Sequence, residues 1–467
     1  MPPTPPDTPH DLVGIGIGPF NLSLAALAHP LTTLHTAFYD QHPHFTWHPG
    51  LLLDDATIQV PFLADLVTLA DPTSPWTFLN HLKDRERLYP FYFTEHFHIR
   101  RTEYDTYCRW VADHLPTLHF GHRADTVHWN PRHALFQIDL TRLDPNGQPT
   151  TADRVHTRHL VLGIGTEPQV PEPLRPLTDD PDLPVIHSDD YLTHRDTLLA
   201  AGHITVVGTG QSGAEVFLDL LRHRPPGRER LHWIGRTGAF APMEYSKLGL
   251  EHFTPDHTRY FHALPEPARD RLVPTQWQLH KAIDADTIAA IHDELYRRTL
   301  HGDWPDTVLT PAVHVRTAGR LGPDRIELHL EHTVQHTRTR LTTDAVVLAT
   351  GHRPRPLDHL LAPLDPHLRR DHAGRPRVDT HFRLDLDPTV TGNIYVQNAE
   401  LHTHGVGTPD LGLAAWRSAT ILNHLTGRQT YPQPTRTAFT TFGLHPHTPQ
   451  IPPARRTTRL TPLADGT

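Results

Sequence analysis

At 467 residues the chain is too long for one simple core, and its length predicts two or three domains. A net charge of −9 with no block of Lys or Arg gives a nucleic-acid or anionic-membrane partner no electrostatic footing, which leaves small molecules as the expected partners. The one cysteine, Cys108, excludes an internal disulfide framework and fits a reducing, cytoplasmic setting; in "YDTYCRWVADHL" it recurs with Tyr104, Tyr107, Val111 and Leu115 at helical spacing and reads as core.

The opening "MPPTPPDTPH", residues 1–10, lacks the charged end and apolar run of a signal peptide and is expected to be disordered. No window reaches the length of a membrane helix. Next comes "HDLVGIGIGPFNLSLAALA", a short apolar strand running into Gly16-x-Gly18-x-x-Asn21 and a helix of small residues. The following strand, "TAFYD", ends at Asp40, where a dinucleotide fold places the acid that holds a ribose. Asn21 stands where the third glycine of that fingerprint is usual. "QVPFLADLVTLADPTSPWTFLNHL", from Gln59 to Leu82, reads as a substrate-facing segment.

Further along, "HLVLGIGTEPQVP" supplies a vaguer strand and turn, and "HITVVGTGQSGAEVFLDLLRHRPPG" a second complete unit. In it Gly208-x-Gly210-x-x-Gly213 fits the fingerprint fully, and Ala214, Phe217, Leu218 and Leu221 mark the buried face of the helix. Arg236 follows the next strand in place of an acid, which favours a ribose 2′-phosphate and so NADP over NAD. "DAVVLATGHRP" is another buried strand with a small turn, and "NAELHTHGVGTPDLGLAAWRSATILNHLTG" returns to the first domain with a closing helix near 413–425. The chain ends in a Pro/Thr-rich tail.

Two glycine turns, each in a strand-turn-helix setting, share one physical logic: glycine lets the backbone approach a pyrophosphate, and the helix N-terminus supplies free N–H donors. The pattern predicts an α/β flavoprotein with two Rossmann-like domains, in which NADPH reduces FAD, and a small helical substrate region. The expected division is 11–200 for the first FAD-binding part, 201–340 for the NADPH domain with a helical insertion, 341–430 for the return, and 431–467 for the tail. Histidine is abundant at 41 residues, but close pairs such as His42/His44, His96/His98 and His402/His404 arise by chance at that abundance, and no metal site is expected. Lysine occurs only at Lys83, Lys247 and Lys281, while arginine is plentiful.

The wording of "GIGPFNLSLAAL", "FTWHPG", "FLADLVTLADPTSPWTFLNHL", "VVGTGQSGAEVFLDLL", "ATGH" and "THGV…LAAWRSATILN" resembles the microbial N-hydroxylating flavin monooxygenases that act on lysine, ornithine or diamines in hydroxamate siderophore synthesis, over about residues 10–430. The resemblance implies FAD, NADPH and molecular oxygen, with a peroxyflavin delivering one oxygen atom to a primary amine. It further implies that Gly16, Gly18, Pro19 and Asn21 lie on FAD, and Gly208, Gly210, Gln211, Ser212 and Gly213 on NADPH, with Asp40, Arg236, Thr350 and Gly351 among the cofactor contacts. Trp47, His48 and Gln59 would line the flavin, Gln59 and His48 as the catalytic candidates; core packing for Trp47 and backbone capping for His48 and Gln59 are the alternatives. His352 stands where relatives often carry Tyr.

In amino-acid-hydroxylating relatives a lysine at the position of Ala64 pairs with the substrate's α-carboxylate, and serine is frequent at the position of Gly412. Drift from lysine in this arginine-rich chain should have yielded arginine; alanine removes the charge. A buried carboxylate without its partner would cost about 3 to 5 kcal/mol. The expected substrate is a linear diamine, cadaverine first and putrescine second, with L-lysine or L-ornithine as the alternative. A primary amine must also lose a proton, at about 4.6 kcal/mol at neutral pH. A disulfide reductase of similar architecture would need a Cys-x-x-Cys that is missing, and a non-catalytic NADP sensor remains the alternative of another class. Relatives form dimers or tetramers, so a homo-oligomer is expected.

Overall fold

The computed structural model describes residues 8–300 and 302–444. Most of the expected N-terminal segment and the tail beyond 444 lie outside those residues, although His10 already opens the first strand. Residues 431–444 pack on the body of the protein: Tyr431 donates its hydroxyl to the Leu27 carbonyl at 2.6 Å, and the Thr437 amide donates to Asp256.

The first sheet is built on His10–Ile15, which pairs in parallel with Thr36–Tyr39 on one side and Pro149–Leu162 on the other. Leu118–His119 extends it beyond Thr36–Tyr39, and Ile394–Val396 joins Pro149–Leu162 in parallel, so the chain does return to this domain late. An antiparallel meander of His122–Asn130 and Leu135–Leu143 completes it. The helix Pro19–Ala28 is buried along its whole length, as its apolar and small residues require. It lies between the sheet and the C-terminal helix Ala414–Thr426, where Ser418 and Ser23 meet at 3.0 Å.

The second sheet is wholly parallel, in the order Thr307–Thr310, Leu231–Ile234, Ile204–Val207, Ala345–Leu348, Val185–His187. Ile204–Val207 and Ala345–Leu348 are buried at every residue, so both read as continuous apolar runs rather than alternating ones. This pairing moves both domain crossings. Val185–His187 and Ala345–Leu348 belong to the second sheet, whereas the sequence division assigned them to the FAD part. Ala345–Leu348 is buried on both faces and Val185–His187 is only three residues long, so neither carries a mark of which sheet it joins. The two crossover segments, Thr166–Pro168 and His352–Pro354, pair with each other. The helical insertion, Pro255–Ala263, Glu266–Thr275 and Ala285–Thr299, falls between the strands Leu231–Ile234 and Thr307–Thr310.

Candidate active site

In the first glycine turn, the Gly16 amide donates to the Tyr39 carbonyl at 2.8 Å and its φ is +85°. A Cβ there would stand 2.3 Å from the Gly163 carbonyl, so only glycine fits. Gly18 heads the helix without a side-chain cap, and a Cβ built on it meets nothing within 4 Å. Pro19, at the first helical position, has no N–H to leave unpaired. Open space before an uncapped helix N-terminus is a fitting cradle for a pyrophosphate.

The side chain of Asn21 supports the turn. It is 1% exposed, and its amide donates to the carbonyls of Ile15 and Gly16 while its oxygen accepts from Gln397 at 2.8 Å. It fastens the turn from behind. Asp40 likewise serves the turn: one oxygen accepts from the Ile17 amide at 2.7 Å, the other from His42. Burial alone would raise this carboxyl, but the bonds from His42 and Ile17 outweigh it and hold the pKa below the ordinary value.

The second turn obeys the same sterics more tightly. A Cβ on Gly208, at φ +131°, would lie 2.0 Å from the Ala349 carbonyl, and one on Gly213 would lie 2.2 Å from Gly208's own. Gly210 caps the helix with backbone only. Gln211 is taken up inside the domain, bonded to Glu215, Thr287 and the Asp284 amide. Ser212 sits in the first helical turn, and Arg236 is exposed just beyond the strand Leu231–Ile234, where an anion can reach it.

Between the domains runs a polar seam. Arg101, from the helix Arg101–His114, forms a two-point ion pair with Glu215 of the second glycine-turn helix, at 2.8 and 2.7 Å. Burial raises the Glu215 pKa, and Arg101 opposes that rise. Trp47 packs edge-on against His48 and Tyr104. His48 adopts a left-handed backbone at φ 47°, and burial lowers its pKa to about 4, so its ring is neutral at pH 7. Its ring lies 6.2 Å from that of His352. Thr350 and Gly351 also brace the crossover: the Thr350 hydroxyl donates to the Gln169 carbonyl, and the Gly351 carbonyl accepts from the Gln169 amide.

The positions expected at the substrate end come from distant parts of the chain and converge. Ala64 is 5% exposed, and a Cβ built on Gly412 would touch the Ala64 Cβ at 3.9 Å. The two positions singled out in the sequence are therefore neighbours. Asp65, beside Ala64, is unavailable to a ligand, since it accepts from the Val67, Thr68 and Phe78 amides and from the Thr68 hydroxyl. Gln59 keeps a buried amide nitrogen with no partner among the described residues, a donor free for a flavin acceptor.

Asp410 went unremarked in the sequence. Its Oδ1 is 2.7 Å from the Gly412 amide and 2.7 Å from where a Gly412 Cβ would stand. Protein surrounds its carboxyl and pushes the pKa up to about 6, opposed by the Gly412 amide and by Arg417, yet the residue keeps some accessible surface. The Arg417 guanidinium is engaged by Glu400 at 3.0 Å and by the Thr408 carbonyl. No cation pairs directly with Asp410 among the described residues. An acid inside the apolar run "GTPDLGLAAW" was the available signal.

This fold and this pair of cradles define a two-dinucleotide flavoprotein. The sequence matches the family described as L-lysine 6-monooxygenase/L-ornithine 5-monooxygenase over residues 8–354. It is 40% identical to a putrescine N-hydroxylase from Shewanella oneidensis, across 93% of this chain and 84% of that protein. The FAD-bound cadaverine monooxygenase of the desferrioxamine biosynthetic pathway from Erwinia amylovora superposes with a TM-score of 0.88 at 37% identity, covering 95% of this chain and all of that one. An ornithine N-hydroxylase from Kutzneria sp. 744, solved with reduced FAD, NADP+ and L-ornithine, gives 0.82 at 26% identity over 90% of this chain and 100% of that one. The chain belongs to the lysine/ornithine monooxygenase family and is a flavin monooxygenase using FAD, NADPH and oxygen.

Proposed function

We propose that the chain N-hydroxylates a linear diamine, cadaverine in first place and putrescine in second, in the cytoplasm and for hydroxamate siderophore synthesis. The observation that carries this reading is the group Ala64, Gly412 and Asp410: two positions without charge touch each other, and a carboxylate stands beside them. A diamine presents a second ammonium to that carboxylate. An amino acid would bring an α-carboxylate along with its α-ammonium, and with Ala64 and Gly412 uncharged that carboxylate would lie near Asp410 with no cation to hold it.

FAD supplies the redox and oxygen chemistry when bound. The chain's own residues orient and shield. The glycine turns hold the pyrophosphates against helix N-termini, Gln59 offers a free amide donor to the flavin, and Asp410 anchors the far end of the substrate so that the near amine faces the cofactor. The neutral His48 adds no positive charge that would oppose a cationic substrate. Chain length is set weakly, because one methylene is worth only about 1 to 3 kcal/mol in an apolar pocket.

The test compares amine-dependent hydroxylamine formation for cadaverine, putrescine, L-lysine and L-ornithine, in the parent and in Asp410→Asn. The diamines are expected to be preferred, and Asp410→Asn to lower their kcat/KM by about 100-fold, as loss of a buried charge partner does. A preference for either amino acid would overturn the reading.

A further inference from the structure

None of the histidine pairs that stand out in the sequence forms the histidine cluster that folding builds. That cluster comprises His187, at the end of the outer strand of the second sheet, Asp189 in the turn after it, and His352 on the crossover strand. One ligand atom from each lies within 4.8 Å of the others. His352 Nε2 is 2.8 Å from both Asp189 oxygens, and His187 Nδ1 is 3.7 Å from Asp189 Oδ1. The rings of His187 and His352 stand 5.0 Å apart and nearly perpendicular.

We infer that His187, Asp189 and His352 form a binding site for a divalent transition-metal ion, of the zinc type, at the seam between the two dinucleotide domains. Two imidazoles and one carboxylate are the borderline ligand set that suits such ions, whereas calcium and magnesium prefer oxygen alone. With bonds of about 2.0 to 2.1 Å, a tetrahedral ion spaces its ligand atoms by roughly 3.3 Å, so the 2.8 Å separation must open, the 3.7 Å one must close, and the His187 and His352 nitrogens, within 4.8 Å of each other, must draw together.

The surroundings are already arranged for it. His187 Nε2 lies 3.2 Å from the Gly351 carbonyl, the outer hydrogen bond that fixes a ligating histidine's tautomer and leaves Nδ1 with its lone pair toward Asp189. At present that lone pair accepts only a long bond, 3.3 Å, from the Asp189 amide. Burial keeps His187 largely neutral, as a ligand must be. The His48–Leu51 turn packs on the same place, since a Cβ on Gly50 would fall 1.6 Å from the Asp189 carbonyl. An ion held there ties the outer strand of the second sheet to the crossover, and braces both against the turn that carries His48.

The experiment uses untagged, FAD-loaded enzyme stripped of metal with a chelator and titrated with Co2+, read from its visible ligand-field bands beyond the flavin absorption, and with Zn2+ in competition. One equivalent is expected to bind in a low-coordinate, nitrogen-containing site. His352→Tyr, His187→Gln and Asp189→Asn should each weaken it by at least about 100-fold, more than the loss of an outer-shell partner costs, while flavin content reports that the protein remains folded. Zn2+ occupancy is expected to slow NADPH-dependent flavin reduction in the parent and not in those variants. Binding that persists in all three variants would assign the ion to other histidines and overturn the site, as would no binding up to roughly 1 mM metal.

Discussion

The two glycine-turn cradles and the proposed substrate end rest on opposite means. At the cradles the deciding feature is the absence of side chains: Gly16, Gly208 and Gly213 each sit where a Cβ would meet a backbone carbonyl at 2.0 to 2.3 Å. At the proposed substrate end the deciding feature would be a charge, Asp410, set beside two residues that bring none. The first kind of site tolerates almost no substitution, because a backbone cannot move aside. The second can be retuned by one residue without disturbing the fold.

The first cradle also shows how a departure from pattern is absorbed. Asn21 occupies the third glycine's place, and its Cγ would lie 2.7 Å from a Cβ on Gly163. The glycine has in effect moved from the helix to the neighbouring strand end. The same close approach is kept, with hydrogen bonds to Ile15, Gly16 and Gln397 added.

The largest expected effect is Gly208→Val. With φ at +131° and a carbonyl at 2.0 Å, the second sheet cannot keep its turn, so NADPH oxidation should fall by about 1,000-fold or the protein should not fold, as activity and thermal unfolding would show. Ala64→Lys comes next. It sets an ammonium beside Asp410, where the substrate's second ammonium is proposed to sit, and should raise the diamine KM by about 10- to 100-fold while amine-independent NADPH oxidation is retained.

The pH profile sharpens the same point. The Asp410 pKa is raised to about 6 from 3.8, so its ionised form is the one disfavoured in the folded protein, and it takes up a proton as pH falls through about 6. Diamine affinity should therefore weaken below about pH 6, and that limb should vanish in Asp410→Asn when binding is measured directly. Arg236→Ala should raise the NADPH KM by about 10-fold and leave NADH unchanged, as loss of an exposed phosphate contact would. The smallest change is expected of Asn21→Gly, about 1 to 2 kcal/mol of stability with little effect on turnover, read from thermal unfolding of the FAD-loaded enzyme.

The amino-acid sequence by itself determined the two strand-turn-helix units, the closing helix near Ala414–Thr426, and the missing charge at Ala64. These are local features: glycine spacing, apolar runs and helical periodicity are written in consecutive residues. It did not mark where the chain changes sheets, because Val185–His187 and Ala345–Leu348 are strands whose partners lie elsewhere. Nor did it show that Asn21 and Asp40 brace the turn, that Arg101 clamps Glu215, or that His187, Asp189 and His352 meet. Only the tertiary structure put Asp410 beside Ala64 and so supplied the charge that the sequence showed only as an absence. Ion pairs and close approaches between residues far apart along the chain depend on how the elements pack, and packing is the one property that no short stretch of sequence contains.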